Sequence, residues 1–361
     1  MSNCHERIRK LRNAMIESGV DIVLLSPGSD LEYFTGYQAM PSERLTVLVV
    51  RADDSPVMFV PALEAPRVEP GLFEVRSWAE LEDPVDLATA TATKPALVAV
   101  GDHMWSVFLT RFQKTWSHTS WIPASELTWR MRALKDTDEI ALLRQAAHAV
   151  DRVMGRIGGE VRFSGRAEAD IARDLSEFTV AEGHDLAAFA IVASGPNGAS
   201  PHHHPGERVV REGDLVVCDF GGRLGGYYSD STRTFAVGSA TPDQVSVHEI
   251  VSAANEAGRK AVRAGVPCEE IDRAARFVVT EAGYGDYFIH RTGHGIGLEV
   301  HEHPYMVEGN ETPLEAGMTF SVEPGIYLPD EFGVRIEDIV VCTEDGVESL
   351  NGSPRELIEV G

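Results

Sequence analysis

The sequence predicts two domains of different class, an α/β domain followed by an α+β domain that contains antiparallel sheet. The chain has 361 residues, which is more than one typical domain holds. Helical and strand-like patterns alternate in the first third, whereas strand-like runs follow one another in pairs in the second half. We therefore place the first domain at residues 1–125, a linker at 126–136 and the second domain at 137–361.

The predicted first domain begins with a helix over residues 4–18, because Ile8, Leu11 and Met15 recur at helical spacing. Apolar runs of strand length follow, separated by Gly, Pro and Asp. These runs are DIVLLS (21–26), LTVLVV (45–50), PVMFV (56–60) and ALVAV (96–100). Alternation of a helix pattern with such strands is typical of an α/β domain.

The predicted second domain opens with a long helix over residues 137–157. Asp136 precedes it and Glu139 follows three residues later, which is the pattern of a capping box. Further helical patterns cover residues 165–182, 243–264 and 268–282. Two pairs of strands lie between and after them: LVVCDFGG (215–222) with YYSDSTRTFAVG (227–238), and GMTFSVEPGIYL (317–328) with VRIEDIVVCT (334–343). Paired runs joined by turn residues indicate antiparallel sheet.

Composition excludes several classes of partner and location. Asp and Glu number 56 against 32 Lys and Arg, a net charge of -24, which repels nucleic acid and anionic membrane. The four cysteines are far apart without a CxxC pair, so neither a disulfide framework nor a Cys-based zinc site is expected. No apolar run is long enough to span a membrane, and the charged N-terminus does not resemble a signal peptide. We expect a soluble cytoplasmic protein.

The first strand pair carries two carboxylates that face each other in the predicted hairpin. Asp219 ends the run LVVCD, and Asp230 lies just inside the next run. If the turn is centred on Leu224 and Gly225, Asp219 lies opposite Asp230, and directly opposed residues have Cβ atoms about 5 Å apart. Two like charges at that distance are destabilising unless a cation lies between them.

The second strand pair repeats this arrangement. A turn centred on Asp330 puts Glu323 opposite Glu337. Ordinary ion pairs with Arg233 and Arg335 are the simpler interpretation for each acid taken alone. Two arginines would still leave excess negative charge among four buried carboxylates, which is costly in a low dielectric. One or two divalent cations would remove that excess.

The segment IHRTGHGIGLEVHEHPY (289–305) is unusually rich in histidine. Its histidines are His290, His294, His301 and His303. The HExxH pattern of one class of zinc peptidase is absent, and so are the lysine and spacing of a phosphate loop. Gly293 and Gly295 flank His294 and allow the backbone to approach a ligand closely. Carboxylates with one imidazole suit divalent ions such as Mn²⁺, Co²⁺ or Zn²⁺.

Five residues together carry a resemblance to a known family. Their motifs match, in order and spacing, the five-ligand pattern of the pita-bread metallopeptidases: Asp219 in VVCDFGG, Asp230 in YYSDSTRTF, His294 in HRTGHGIGLEVHE, Glu323 in SVEPGIY and Glu337 in VRIED. That family includes methionine aminopeptidase, aminopeptidase P and prolidase. The stretch SGPNGASPHHHP (194–205) also resembles the prolidase and aminopeptidase P segment that supplies a histidine to the substrate.

The resemblance extends to the whole chain. The first half is similar to the N-terminal domain of prolidase, aminopeptidase P and creatinase, which methionine aminopeptidase lacks, and the nearest likeness is to bacterial Xaa-Pro dipeptidases. It implies a pita-bread catalytic domain, which is a duplicated antiparallel β-sheet with covering helices, preceded by an α/β creatinase/prolidase-type domain. It also implies a homodimer.

The resemblance further implies two divalent metal ions per subunit, with Mn²⁺ preferred over Co²⁺ or Zn²⁺. Asp230 and Glu337 would bridge the ions, Asp219 would bind one of them, and His294 and Glu323 would complete the other. Paired ions of this kind lie about 3.5–4 Å apart and share a water, which becomes a hydroxide near neutral pH.

Other residues take catalytic roles by the same resemblance. Glu323 would relay a proton to the departing proline nitrogen. His290 and His301 would contact the substrate and stabilise the oxyanion, and His202 would lie near the far end of the substrate. Arg335 would orient the carboxylates. The remaining histidines are expected to be solvated loop residues, His203 and His204, or structural, His303.

The implied activity is metal-dependent hydrolysis of the Xaa-Pro bond by an Xaa-Pro dipeptidase (prolidase) acting on a small peptide with proline at its second position. An aminopeptidase P that acts on longer peptides is the alternative, which the sequence leaves open. A creatinase-like hydrolase of a non-peptide bond and a non-catalytic binding module are less favoured, because all five ligand positions are filled.

Overall fold

The computed structural model of the protein describes residues 2–69 and 73–361. The chain divides into two compact units, Met1–Arg132 and Ala133–Gly361. The division falls inside the segment 126–136 that we assigned to a linker. Most of that segment is helical, since a helix covers Ser125–Ala133.

The first unit is built on a mixed six-stranded sheet. Its strands are β1 (Ile22–Leu25), β2 (Val47–Arg51), β3 (Val57–Pro61), β4 (Glu74–Trp78), β5 (Leu97–Val100) and β6 (Ser120–Pro123). They lie in the order β4-β3-β2-β1-β5-β6, with β1 antiparallel to β2 and parallel to β5. The four predicted apolar runs are four of these strands. The other two, β4 and β6, have largely polar or short sequences that carry no strand signal.

Helices accompany this sheet. They are α1 (Ser2–Ser18), α2 (Ser29–Thr35), α3 (Pro84–Thr89), α4 (Ser106–Thr115) and α5 (Ser125–Ala133). Leu24, Val47, Phe59 and Val98 of the strands form a buried core with Phe112 of α4. The helix predicted over residues 4–18 is confirmed by α1.

The second unit has four long helices. They are α6 (Thr137–Glu160), α7 (Glu168–Ala181), α8 (Pro242–Ala261) and α9 (Cys268–Glu281). The predicted capping box is confirmed at α6, where Asp136 accepts from the backbone N–H of Glu139 and the Glu139 side chain accepts from the N–H of Asp136. All four helical patterns of the sequence therefore correspond to helices.

Two sheets make up the rest of the second unit. The first contains β7 (Leu186–Ser194), β8 (Leu215–Leu224), β9 (Tyr227–Tyr228), β10 (Ser231–Val237) and, at the end of the chain, β18 (Ile358–Val360). The second contains β11 (Gly293–Gly295), β12 (Glu302–Met306), β13 (Thr319–Val322), β16 (Asp338–Cys342) and β17 (Val347–Ser349). A separate hairpin is formed by β14 (Gly325–Leu328) and β15 (Phe332–Arg335). The pairs β8–β10, β13–β16 and β14–β15 are antiparallel, as predicted.

The register predicted for the first carboxylate pair is wrong by two residues. Asp219 lies opposite Thr232, not opposite Asp230. The turn is Gly225–Gly226, whose φ angles of 56° and 95° are both positive, as a two-residue type I′ hairpin turn requires. Because side chains alternate with a period of two, a slip of two residues keeps both aspartates on the predicted face.

The register predicted for the second pair is confirmed. Val322 lies opposite Asp338 and Gly325 lies opposite Arg335, so Glu323 and Glu337 face each other between these pairs. Both glutamates lie at breaks between strands, where the chain leaves the β14–β15 hairpin for the second sheet. These breaks free the two side chains from the regular ladder and direct them to the site described next.

Candidate metal centre and catalytic cavity

All predicted site residues line one cavity of about 1020 Å³ within the second unit. The five predicted metal ligands contribute from both sheets: Asp219, Asp230, His294, Glu323 and Glu337. The predicted substrate-side and orienting residues lie there as well: His202, His290, His301 and Arg335. The fold therefore brings together residues that are up to 135 positions apart between His202 and Glu337.

Three of the predicted ligands form a compact group of donor atoms. Asp230, His294 and Glu337 each offer one ligand atom, and these atoms lie within 4.8 Å of one another. Glu323 adjoins the group, since its Oε1 is 3.2 Å from Nε2 of His294. Asp219 contacts Arg335, which donates to its Oδ2 over 2.6 Å.

The carboxylates of this group have oxygens without partners. Among the residues that the structure describes, six buried side-chain N or O atoms lack a hydrogen bond. Three of the six belong to the cluster: Oδ1 of Asp219, Oδ1 of Asp230 and Oε1 of Glu337. Bare buried carboxylate oxygens are costly, and a cation is the partner that they lack. The donor set, four carboxylates and one imidazole, fits divalent ions of the Mn²⁺, Co²⁺ or Zn²⁺ type.

The tautomer of His294 leads to the same interpretation. Its Nδ1 lies 3.2 Å from the carbonyl oxygen of Gly295, which can only accept, so Nδ1 carries the proton. Nε2, the other ring nitrogen, faces the carboxylate oxygens of Asp230 at 3.8 Å and Glu323 at 3.2 Å. A metal-ligating histidine is typically oriented in this way, with one ring nitrogen on a carbonyl oxygen and the other towards the remaining ligands.

Without a cation, the ionised forms of Asp230 and Glu337 are unfavourable in this cluster. Burial raises the pKa of Asp230 well above its usual range, and Glu337, Asp219 and Glu323 raise it further. Burial likewise raises the pKa of Glu337, followed by the charges of Glu323 and Asp219. A bound cation would act in the opposite direction and hold both groups ionised.

Arginines neutralise only part of this charge. Arg335 donates to Oδ2 of Asp219 over 2.6 Å. It also donates to the hydroxyl of Thr232, which in turn donates to Glu337. Arg233 pairs instead with Asp338, outside the cluster. Simple ion pairing therefore accounts for one of the four carboxylates, which weakens the simpler interpretation given above.

Both ring nitrogens of His290 are engaged by the protein. Nδ1 lies 2.7 Å from the carbonyl oxygen of Arg291, and Nε2 lies 2.8 Å from the hydroxyl of Tyr327. Tyr327 is buried and also accepts from Arg335. The ring of His290 thus has no free donor for a substrate, and its position at the cavity wall depends on Tyr327. The sequence analysis did not single out Tyr327, although it lies four residues after Glu323.

His301 and His202 remain accessible from the cavity. The ring of His301 lies edge-on to that of His294, with 4.2 Å between the centroids. Burial lowers the pKa of His301 to about 4, helped by the charges of His294 and Arg291, so the ring is neutral near pH 7. A neutral imidazole can donate one N–H to a substrate oxygen.

The loop that carries His202 is anchored by a buried carboxylate that sequence reasoning missed. Glu168 of α7 is fully buried and accepts from the N–H and hydroxyl of Ser194 and from the side chain of Asn197. His203 is therefore not simply solvated, since its Nε2 lies 2.8 Å from Glu168. No local signal reveals such a contact, because the partners are far apart along the chain.

The sequence analysis also missed Asn255, which holds the backbone next to Glu323 and Glu337. Asn255 of α8 is fully buried and donates to the carbonyl oxygens of Val322 and Ile336 at 2.8 and 3.3 Å. Those residues immediately precede Glu323 and Glu337. One amide group therefore holds both strand breaks in register with each other.

Comparison with known proteins assigns the family. Residues 141–344 match the sequence profile of Metallopeptidase family M24, and residues 7–134 match the Creatinase/Prolidase N-terminal domain. The probable dipeptidase PepE of Mycobacterium tuberculosis is 44% identical over 355 residues, covering 96% of this chain and 94% of that protein. The Xaa-Pro dipeptidase of Lactobacillus helveticus is 35% identical, covering 96% and 97%.

A solved structure agrees with these matches. The prolidase of Thermococcus sibiricus superposes with a TM-score of 0.94 at 37% identity, covering 98% of each chain. Among the described residues, no helix combines the length and apolar character needed to cross a membrane. The predicted two-part fold, a creatinase/prolidase-type domain followed by a pita-bread catalytic domain, is confirmed. The chain therefore belongs to Metallopeptidase family M24.

Proposed function

We propose that the protein is an Xaa-Pro dipeptidase whose cavity holds two divalent metal ions. The observation that carries this proposal is the set of three bare carboxylate oxygens on residues that line one cavity with His294. Relatives named dipeptidase and Xaa-Pro dipeptidase, which match almost the whole chain, support the substrate class.

The residues that would hold the ions are Asp219, Asp230, His294, Glu323 and Glu337, with Asp230 and Glu337 as bridges. When bound, divalent ions polarise the scissile carbonyl and lower the pKa of water, so that a nucleophile is present near neutral pH. Mn²⁺ is our first choice, because four carboxylates among five donors favour a hard ion.

The chain's own side chains supply the proton transfers and the binding of the oxyanion. Glu323 is held at Oε1 by the hydroxyl of Ser321, and its side chain is still 16% exposed to the cavity. It is placed to take a proton from the attacking water and to deliver it to the proline nitrogen. His301 is placed to donate an N–H to the oxyanion. His202, which is exposed, would meet the part of the substrate farther from the ions.

The preference for proline follows from the chemistry of the bond. An Xaa-Pro amide has no N–H, so a cavity that depends on donors to the carbonyl and on protonation of a ring nitrogen suits it. A general peptidase that binds the substrate through that N–H does not.

An aminopeptidase P activity on longer peptides is the second candidate. The cavity of about 1020 Å³ is at the upper end of ligand cavities, which span roughly 300–1,000 Å³, and it exceeds the needs of a dipeptide. The names of the relatives favour the dipeptide.

We further infer a homodimer and a cytoplasmic location. The latter is supported by four cysteines that are all free and buried.

Hydrolysis of Ala-Pro, Ala-Pro-Ala and Ala-Ala by chelator-treated protein, with and without added Mn²⁺, tests the proposal. We expect cleavage of Ala-Pro that requires the metal, with little cleavage of Ala-Ala. Faster cleavage of Ala-Pro-Ala would instead establish an aminopeptidase P. Cleavage of none of the three by metal-loaded protein would overturn the proposed function.

A further inference from the structure

The second unit contains another cavity, which lies in a groove between α8 and residues 355–359. Its volume of about 570 Å³ is within the range of small-molecule sites, roughly 300–1,000 Å³. We call it the α8 groove and define it by the residues that line it from 245 to 256 and from 355 to 359. Among the described residues, none lines both this groove and the metal cavity. The α8 groove is therefore a separate candidate site.

A buried histidine lines this groove without a hydrogen-bond partner. His248 is only 4% exposed, and within residues 2–69 and 73–361 its ring nitrogens form no hydrogen bond. Burial lowers the pKa of His248 to about 4, so the ring is neutral near pH 7 and offers one N–H and one lone pair. A buried polar group without a partner is costly, and a ligand in the groove would supply one.

The end of the groove at the first half of α8 is acidic. Glu359 lies there, since its Oε1 accepts from the N–H of Ala240, just before α8. Glu249 and Glu356 line the groove and are exposed, and in the described part of the chain they form no hydrogen bond or ion pair. Burial is the main influence on the pKa of His248, and the charge of Glu356 opposes it, so the two side chains are close. Three carboxylates beside a neutral imidazole favour a cationic donor.

The end of the groove at the second half of α8 carries a fixed guanidinium. Nε of Arg355 donates to the buried Asp338 over 2.7 Å, whereas its Nη atoms form no hydrogen bond to any described residue. Asp338 also accepts from Arg233 over 2.8 Å, so one carboxylate is shared by two guanidinium groups. Glu256, the acid at this end, is paired with Lys260 at 2.5 Å. Arg355 is therefore held in place with two donor groups left for a carboxylate.

Opposite charges at the two ends of the groove match a ligand that carries both. A purely cationic ligand would meet Arg355, and a purely anionic one would meet three carboxylates. We propose that the α8 groove is a second ligand site, which binds a small zwitterion with an ammonium and a carboxylate group, as in a free amino acid or a short peptide. The ammonium would donate to His248 and Glu356, and the carboxylate would accept from Arg355. The site shares no residue with the metal centre and does not depend on the proposed hydrolysis.

Calorimetric titration in buffer that contains Mn²⁺ tests the site with two zwitterions. L-Alanine represents a free amino acid, and Ala-Ala, of which we expect little cleavage, represents a peptide. Each is compared with its C-terminal amide and with its N-acetyl derivative, which each remove one of the two charges. We expect the zwitterion that fits the groove to bind there once per chain, and its two derivatives to bind at least about 10-fold more weakly. The tighter of the two zwitterions identifies the source.

Variants of the groove separate its binding from binding at the metal cavity, which is also expected to accept amino acids and peptides. Glu356→Gln removes an exposed charge, Ala253→Phe fills the groove from an exposed position, and His248→Phe removes the ring nitrogens. Each should weaken the groove's binding at least about 10-fold, whereas binding at the metal cavity stays. Two exposed residues outside the groove supply the matched controls, Glu281→Gln and Ser246→Phe, which should bind as wild type. Thermal unfolding of each variant checks the fold.

Loss of one binding event per chain in folded groove variants, but not in the controls, would establish the site. If neither zwitterion binds, or if Glu356→Gln and Ala253→Phe bind both as tightly as wild type does, the site is overturned. If the amide or the N-acetyl derivative binds in the groove as tightly as its zwitterion, the match to both charges is wrong. Because Glu356 and Ala253 are exposed, these two variants keep the test valid even if His248→Phe does not fold.

Discussion

At the scale of single residues, two carboxylates of the cluster, Asp219 and Glu337, each have one satisfied and one bare oxygen. Oδ2 of Asp219 accepts from Arg335 and Oε2 of Glu337 accepts from Thr232, whereas the second oxygen of each is buried without a partner. The satisfied oxygens fix the orientation of the side chains, and the bare ones belong to residues that line the cavity. Such an arrangement is costly for the empty protein and useful for a protein that binds cations.

Asp230→Asn tests this account through metal content as well as activity. The change should abolish metal loading and hydrolysis, because the carboxylate that we propose as a bridge between the ions becomes a neutral amide. It should also make the chelator-treated protein more stable than chelator-treated wild type by roughly 1–3 kcal/mol, because a buried like charge is removed. Metal analysis and denaturant unfolding measure both effects.

Asp345→Asn, at an exposed turn of the same unit, is the matched control and should behave as wild type. A fully active Asp230→Asn protein with a normal metal content would contradict the bridging role.

His301→Ala should separate substrate contact from metal binding. Because its ring reaches the cavity and no metal ligand depends on it for a hydrogen bond, kcat should fall about 100-fold, as for other oxyanion donors. Metal content should stay near that of wild type. His303→Ala, two residues further along the chain on β12 and outside the cavity lining, is the control and should retain activity. Loss of metal from His301→Ala would show that the residue is a ligand.

At the scale of elements, α8 holds the two strand breaks from which Glu323 and Glu337 extend. Asn255 is the point of attachment, and its side-chain amide oxygen, Oδ1, accepts from Arg259 over 2.8 Å. The metal centre therefore depends on a helix that contributes no ligand to it.

Asn255→Ala should lower metal affinity without touching a ligand. It leaves the carbonyl oxygens of Val322 and Ile336 unpaired, so the protein should lose about 1–3 kcal/mol of stability. Metal affinity should fall about 10- to 100-fold, as it does when groups behind a ligand are removed. Calorimetric titration with Mn²⁺ measures the affinity, and Asn13→Ala on an exposed face of α1 is the control. Unchanged affinity in a destabilised variant would limit Asn255 to a structural role.

The features of the site that could be predicted depend on residues that lie close together in the sequence. The turn around Asp330 gave the facing of Glu323 and Glu337, because that residue adopts a positive φ of 64° between short regular strands. The predicted facing of Asp219 and Asp230 is wrong because the turn is formed by Gly225 and Gly226, and not by Leu224 and Gly225. Asn255 and Glu168 could not be predicted, since their partners lie 26 or more residues away and no spacing rule connects them.

At the scale of the whole molecule, local sequence patterns likewise predicted some elements and did not reveal others. Strands with apolar runs and helices with regular apolar spacing were evident, whereas β4 (EVRSW) is largely polar and β6 (SWIP) holds only two strand-favouring residues. The family motifs predicted the fold of the second unit, and a resemblance without a quoted motif predicted that of the first. The acidic surface, with a net charge of -24, bears on solubility and partners and not on the fold.

Stability should depend on pH through His248, which is buried on α8. Burial lowers its pKa from 6.5 to about 4, the charge of Arg233 lowers it further, and Glu356 opposes them. Between pH 6.5 and about pH 4, the ring of His248 is protonated in the unfolded chain and neutral in the native protein. The stabilisation is therefore fully present above about pH 6.5 and is lost as the pH falls towards 4.

Denaturant unfolding of wild type and His248→Gln between pH 4 and 7 measures this contribution. The difference in the free energy of unfolding between wild type and His248→Gln should become smaller as the pH falls, by up to a few kcal/mol. A constant difference across the range would show that His248 titrates alike in both states.

The most direct test of the central claim is a calorimetric titration of chelator-treated protein with Mn²⁺, with Ala-Pro hydrolysis assayed on the same samples. The account predicts two ions bound per chain, a rise in thermal stability on loading, and hydrolysis that appears with the ions. Binding of no ion at the cluster, or full hydrolysis of Ala-Pro before any ion is added, would contradict it.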